Sequence, residues 1–364
     1  MRVLHFIPDI GISNGIMSVI LNYYNNMPED IDFDIIYFKD TERTRKSDIE
    51  KLGGRVYKIE RPSLRAFFTR DIDKFFKNHK DEYSFLHIHH PAMTVFLAPT
   101  AKKYGVKNIA IHCHSTWFSF KKRNIIINRI LSIIAKNMTT YMFACGRDAG
   151  IFWYSEKDFK NGKVTVINNA VDCEKFRFSQ NIRDEYREKL DVSDKFVVGH
   201  VGRVKPPQKN HPFIIKIFSE IKKINSNAVL MLAGADEDYE LINIAKSLNV
   251  YDDIKFMGQR KDVDKLLQVF DVFLFPSFYE GLPVAAVEAQ AAGLPVIMSD
   301  CITDEVCITD NAIRLSLDES PKLWAKKAIE LSNKFRIDTF DIMKCKGWNI
   351  KDSAQNLAHI YKEV

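Results

Sequence analysis

Apolar runs of five to nine residues, rich in β-branched and aromatic side chains and closed by turn residues, recur along this 364-residue chain with helical stretches between them. In the first half they are RVLHFIP (2–8), DFDIIYF (32–38), RVYKIE (55–60), FLHIHH (85–90), IAIHCHS (109–115), YMFAC (141–145) and VTVINNA (164–170). The second half continues with KFVVGHVGR (195–203), NAVLMLAGA (227–235), DIKFMG (253–258), DVFLFPS (271–277) and LPVIMSD (294–300). Segments between them, such as GIMSVILNYYNNM, repeat apolar residues every three or four positions, the helical period. Strand–helix alternation sustained over this length specifies an α/β protein with parallel sheets covered by helices on both faces. The length accommodates two such sheets. The charged stretch REKLDVSDK interrupts the strands and predicts a boundary within about 172–195, giving domains 1–175 and 176–345. The last stretch, NIKDSAQNLAHIYKEV, reads as an amphipathic helix through Ala354, Leu357 and Tyr361.

In open α/β sheets ligands bind beyond the carboxyl ends of the strands, so chemistry is sought there. The stretch PSFYEGLPVAAVEAQAAGLPVIMSD (276–300) follows a strand and carries Glu280 and Glu288 in a run of Ala, Val, Leu, Gly and Pro. A carboxylate in apolar surroundings is costly unless something pairs with it or donates to it. Pro283 is expected at the first helical position and Gly293 at the helix end, which puts Glu280 in the loop and Glu288 inside an Ala/Val helix. Ribose hydroxyls would supply the donors Glu288 needs, and backbone N–H groups near Gly281 and Leu282 suit a phosphate. A helix cap and a structural pair with Arg or Lys is the competing reading. GHVGRVKPPQKNHPF (199–213) offers Arg203 and Lys209, two cations able to straddle a diphosphate and offset its charge without a metal. After the first strand, PDIGISNGIMSV matches neither a dinucleotide fingerprint nor a P-loop, although Gly11 and Gly15 permit close backbone approach.

Histidines crowd two strand ends, His87, His89 and His90, then His112 and His114. No carboxylate accompanies them in sequence, so no metal site is assigned. Asp32/Asp34 reads as strand edge, and Asp71/Asp73, Asp236/Asp238 and Asp262/Asp264 as helix surface. The six cysteines form no CxxC pair, as expected of reduced thiols. Pro8 and Asp9 occupy the place of a signal peptide's apolar centre, and no uncharged run is long enough to span a bilayer, so a cytoplasmic protein is expected. The net charge of +6 is uneven: residues 51–150 hold 18 Lys and Arg against 6 Asp and Glu. Two basic amphipathic segments, 61–80 and 120–137, read either as helices packed on a sheet or as contacts with an anionic membrane face. No nucleic-acid-binding motif is present.

Taken together, YEGLPVAAVEAQAAGLPVI, GHVGR…QKN, VINNAVDCEKF and FMGQRKDVDKLLQVFDVFLFPS resemble family 4 glycosyltransferases of the GT-B fold, in the branch that builds capsules and exopolysaccharides. The likeness covers nearly the whole chain and is most specific in its second half. It implies two Rossmann-like domains facing each other across a cleft, the first binding acceptor and the second a nucleotide-sugar donor. The terminal helix, about 346–364, would pack back on the first domain. The implied reaction is retaining transfer of a sugar from a nucleotide diphosphate, UDP above all, to a glycan or lipid-linked oligosaccharide, with no cofactor and no metal. By motif, Glu280 would contact the donor sugar, Glu288 the ribose, and Arg203 and Lys209 the diphosphate. Gln259 and Arg260 would lie near the base and Gly15 in a loop closing on the phosphates. Either His112 or His114 would face the reacting sugar, with preference for His114; Asn14, His89, His90 and His112 are the acceptor-side candidates. Two departures stand out: LAGADEDYE has Asp236 where many members have a second glycine, and EGLP replaces EGFGLP.

Three rivals share some of these features. A glycoside hydrolase would use paired carboxylates, but it has no use for Arg203 and Lys209. A non-catalytic nucleotide-sugar-binding module would keep the pocket without turnover. A nucleotide-sugar epimerase would need no acceptor. Gal, Glc, GlcNAc and GalNAc are all compatible with the motifs.

Overall fold

Each of the twelve apolar runs contains a strand in the computed structural model, which describes residues 1–12, 14–61, 71–116, 122–204, 207–333 and 336–363. The first seven are β1 (Arg2–Phe6), β2 (Asp32–Tyr37), β3 (Val56–Lys58), β4 (Phe85–Ile88), β5 (Asn108–Cys113), β6 (Tyr141–Ala144) and β7 (Val164–Val166). They form one sheet in the order β3-β2-β1-β4-β5-β6-β7. The second sheet, β10-β9-β8-β11-β12-β13, contains β8 (Phe196–Val201), β9 (Ala228–Ala233), β10 (Ile254–Phe256), β11 (Val272–Phe275), β12 (Val296–Ser299) and β13 (Ala312–Leu315). Every ladder among these strands is parallel. Sequence reading missed β13, whose residues AIRL are few and include an exposed arginine, so no apolar run announces it.

Both sheets reverse direction after their first strand, between β1 and β4 and between β8 and β11. This is the doubly wound order whose reversal point leaves a crevice at the strand ends. The chain divides into two units, Met1–Ala170 with Ile350–Val364, and Val171–Asn349. The first of these edges, Ala170/Val171, precedes the window 172–195 expected from the charged stretch. Val171 and Asn349, where the chain enters and leaves the second unit, form a parallel bridge. The helix Ile350–Lys362 joins the first unit by burying Ala354, Leu357 and Tyr361.

Each unit has its own core. Leu4, Phe6, Leu86, Ile88, Leu97 and Ile109 contribute to the first, and Val198, Phe218, Leu230, Leu274, Ile297 and Trp324 to the second. Gly199 of β8 shows how closely the second is filled, because a Cβ there would stand 2.0 Å from the Phe270 ring. Gly199→Ala is therefore expected to destabilise this unit by about 1–3 kcal/mol, read as a lower urea midpoint at unchanged slope.

One expectation fails outright. Asp34 is not at a strand edge, since β2 lies inside the sheet and the side chain is fully buried. Arg2 and Arg55 each hold it through two guanidinium hydrogen bonds, and the Tyr83 hydroxyl and the Arg55 backbone N–H also donate to it. Asp236 and Asp238 are not helix surface either: Asp236 lies in a loop and Asp238 caps the helix Tyr239–Ser247. Asp71 and Asp73 do sit in the first turn of the helix Asp71–Asn78.

Candidate active site

The loops after β8 and β11 leave the reversal point of the second sheet side by side, and the chain ties them together. After β8 come Gly202, the exposed Arg203 and a short turn of helix, Pro207–Lys209. After β11 come Ser277 to Pro283 and then the helix Val284–Ala291. The Gln208 amide donates to the Tyr279 carbonyl at 2.7 Å, and the Phe278 N–H donates to the Gln208 carbonyl at 3.0 Å. Lys209 Nζ donates to Glu280 Oε1 at 2.6 Å and lies 4.3 Å from the centre of the Phe275 ring. Gly202 makes room for this, because a Cβ there would meet Lys209 Cγ at 3.0 Å and His200 Nε2 at 2.7 Å. The resemblance implies separate partners for Lys209 and Glu280, whereas in the structure each neutralises the other.

Helix Val284–Ala291 opens one residue later than the spacing predicted, with Pro283 extended at its cap rather than in its first turn. Gly281 is half-buried and Leu282 buried, so the loop backbone closes onto the helix start. Glu288 lies on this helix, and no hydrogen-bond donor among the described residues reaches its carboxylate. Burial pushes that carboxyl up to about 7, while Lys175 pulls it down and Asp264 pushes it further up. Lys175 and Asp264 are themselves 3.9 Å apart. Nothing in the sequence links either to Glu288, since both lie outside the motif around it.

The loops after β9 and β10 complete this edge. Gly234, at φ +85°, donates from its N–H to the Gly258 carbonyl at 2.7 Å, and Gly258 donates to the Ala235 carbonyl at 3.0 Å. Gly234 needs its left-handed backbone because a Cβ would meet the Gly202 carbonyl oxygen at 3.0 Å. Asp236 thus follows an intact glycine turn. Gln259 is exposed just beyond, and Arg260 is gripped by Asp262 at 2.8 and 2.6 Å.

In the first unit the histidines assemble on the face shared by β1, β4 and β5, and His5, unnoticed in the sequence, is part of the array. Two hydrogen-bonded chains run through it. His5 Nδ1 meets His89 Nε2 at 3.0 Å, and His89 Nδ1 meets His114 Nε2 at 2.8 Å. The Tyr361 hydroxyl meets His87 Nδ1 at 2.6 Å, and His87 Nε2 meets His112 Nδ1 at 3.2 Å. Burial lowers His5 and His114 to about 3 and takes His87, His89 and His112 far below the usual range, so all five are neutral at pH 7. A neutral imidazole donates once and accepts once, so the tautomer at one end of each chain sets the other. His112 is buried among the strands, whereas His114 lies past the end of β5 and retains exposure. His90 precedes the short helix Pro91–Met93, where its backbone carbonyl accepts from the Met93 N–H.

Two triads, His5–His87–His89 and His89–His112–His114, bring ring nitrogens within 4.8 Å, close enough to hold a metal ion. As arranged, most of those nitrogens bond one another. Asn14 caps the helix Gly15–Tyr24 by accepting from Ile16 and Met17, and Gly15 is that helix's first residue rather than part of the loop. A Cβ at Gly15 would stand in open space, so nothing within the protein demands glycine there.

Two doubly wound sheets, the second carrying a lysine–glutamate pair at its reversal point and a glutamate that holds its proton on the next helix, fit the GT-B arrangement that the sequence resembles. Comparison with known proteins agrees: the description Glycosyltransferase Family 4 matches residues 13–175, and Glycosyl transferases group 1 matches residues 182–334. EpsF of Bacillus subtilis (strain 168), named as a glycosyltransferase, is 32% identical over 338 residues, covering 89% of this chain and 86% of its own length. The chain belongs to glycosyltransferase family 4. A UDP-Gal:alpha-D-GlcNAc-diphosphoundecaprenol alpha-1,3-galactosyltransferase of Escherichia coli is 30% identical over 242 residues, 64% of this chain and 61% of that protein. Among solved structures, Anabaena Alr3699/HepE in complex with UDP superposes with a TM-score of 0.81 at 17% identity, each chain covered in full.

Proposed function

We propose that the protein transfers a hexose or N-acetylhexosamine from a UDP-sugar, with retention and without a metal, to a lipid-linked glycan at the cytoplasmic face of a membrane. Glu288 carries this reading: a half-buried carboxyl to which no described residue donates is suited to the paired hydroxyls of a ribose. UDP occupies the related HepE structure, and the Escherichia coli relative is named for a diphosphoundecaprenol acceptor; both support the assignment.

The ion pair gives the donor site its logic. When a diphosphate arrives, Lys209 exchanges Glu280 for phosphate oxygens, and Glu280 is freed to accept hydrogen bonds from the sugar. Arg203 adds a second charge as the diphosphate leaves. Gln259 and Arg260 stand at the strand end where the base would lie. In the first unit, His114 presents a neutral nitrogen whose protonation its chain of partners adjusts; Asn14, His89, His90 and His112 are the acceptor-side candidates, and Gly15 would approach the donor phosphates. Lys209→Ala is expected to lower the transfer rate roughly 100-fold while leaving the fold intact.

The test is thermal: UDP, GDP, ADP and their sugar conjugates are added to wild type and to Lys209→Ala. A ligand that binds only the folded state raises the melting temperature by mass action. UDP and a UDP-sugar should raise it in wild type and much less in the variant. No shift with any nucleotide would remove the donor assignment.

A further inference from the structure

The helix Lys122–Lys136 has two apolar faces, and the described residues pack on only one of them. Ser132 and Ala135 are buried, and Leu131, with Met138 just beyond, packs on the core of the first unit. On the other side, Ile126, Ile127, Ile130, Ile133 and Ile134 are 64, 41, 54, 62 and 47% exposed. At 3.6 residues per turn these five fall within an arc of roughly 120°, a continuous stripe. Scattered exposed apolar residues are ordinary, but a contiguous face of this kind marks an interaction surface.

The charges select the partner. Residues 122–136 contain Lys122, Arg123, Arg129 and Lys136 and no acidic residue. Lys136 is paired with Asp158, while Arg129 is exposed along one border of the stripe. The surrounding sequence, 51–150, is basic by 18 to 6. At 15 residues the helix is about 22 Å long, too short to cross a bilayer, and no helix among the described residues is long and apolar enough to do so. An isoleucine stripe with Arg129 along its border, in a segment without acidic residues and on a helix anchored by its opposite side, matches a helix lying in the plane of a membrane interface.

We infer that this face docks on an anionic lipid surface, the isoleucines entering the headgroup–acyl boundary and the basic residues meeting the headgroups. This deepens the proposed function by supplying the surface from which a lipid-linked acceptor would be reached, and it rests on that reading only for its purpose. Of the two basic segments singled out in the sequence, 61–80 does not enter this inference, because residues 62–70 lie outside the described residues, as does Lys121 of the second.

The experiment is co-sedimentation of the full chain with vesicles of phosphatidylcholine alone or with about one-third phosphatidylglycerol, at low and high salt. Wild type should bind the anionic vesicles, more weakly at high salt. Ile130→Glu/Ile133→Glu should lower the partition coefficient roughly tenfold or more, and Arg129→Glu should lower it while flattening the salt dependence. Because these side chains are exposed, the variants should keep the wild-type melting temperature and UDP-induced shift; this separates failure of the membrane face from failure of the donor site. Should the glutamates disturb folding, Ile126→Ser/Ile130→Ser asks the same question. Wild type that ignores anionic vesicles, or a folded variant that binds them equally, would overturn the inference. So would a wild-type dimer in light scattering that the variant converts to monomer without lipid, since the stripe would then be an interface between copies.

Discussion

Glu288→Gln is expected to melt several degrees above wild type at pH 8 and yet bind UDP roughly tenfold or more weakly. The two effects have one cause. The Glu288 carboxyl titrates at about 7 in the folded protein, against 4.5 as its ordinary value. A folded pKa above the unfolded one means that the native state retains a proton the unfolded chain has released. Stability therefore falls as pH rises through the window from 4.5 to about 7, and the full penalty, on the order of 3 kcal/mol, stands above it. Glutamine never ionises, so the gain in melting temperature should be present at pH 8 and nearly absent at pH 5. Binding runs the opposite way. Hydroxyls of a ribose donate best to the ionised carboxylate, so wild-type affinity for UDP should rise between pH 6 and 8 while the variant stays flat. Thermal melts and titration calorimetry at those pH values read both. An unchanged melting temperature at pH 8 would mean that Glu288 is not the strained group, and undiminished UDP binding would take it out of the nucleotide site.

The second large effect concerns the fold. Removing the Asp34 carboxylate in Asp34→Ala leaves Arg2, Arg55 and Tyr83 without their common acceptor, and is expected to cost about 3 kcal/mol in chemical denaturation. Its pH dependence is the mirror image of that at Glu288. Burial by itself would raise the Asp34 carboxyl, but the hydrogen bonds from Arg2, Arg55 and Tyr83 prevail and hold it at about 2, below its ordinary 3.8. A depressed folded pKa stabilises the protein above 3.8, and that contribution, on the order of 2 kcal/mol, is lost as pH falls toward 2. Acid titration of wild type and variant should therefore converge at low pH. Curves that stay parallel to pH 2 would assign the loss to packing instead of charge.

Much of this was legible in the residues because the two determinants, strand period and turn chemistry, are local. The parallel sheets followed from apolar runs, and Glu280, Arg203 and Lys209 stood out as candidates because they follow strands, Glu288 because it interrupts an Ala/Val helix. What escaped detection depended on partners distant in sequence. Asp34 looked like a surface residue because its neighbours along β2 say nothing of Arg55, and the ion pair of Lys209 with Glu280 joins residues 71 apart. His5 gave a faint signal, one polar residue in the middle of RVLHF, but its meaning required β1 and β4 to be adjacent. Tyr361 gave none; it meets His87 across 274 residues.

That last contact has a bearing on biosynthesis. The second unit is an insertion within the first, so the helix that carries Tyr361 is made only after every residue of the second unit. The first unit therefore stays incomplete until the second has been synthesised, its histidine face lacking until then the tyrosine that covers part of it. Translation halted within the last fifteen residues, 350–364, would release a molecule with one finished unit and one open core, the form a cellular protease is best placed to recognise.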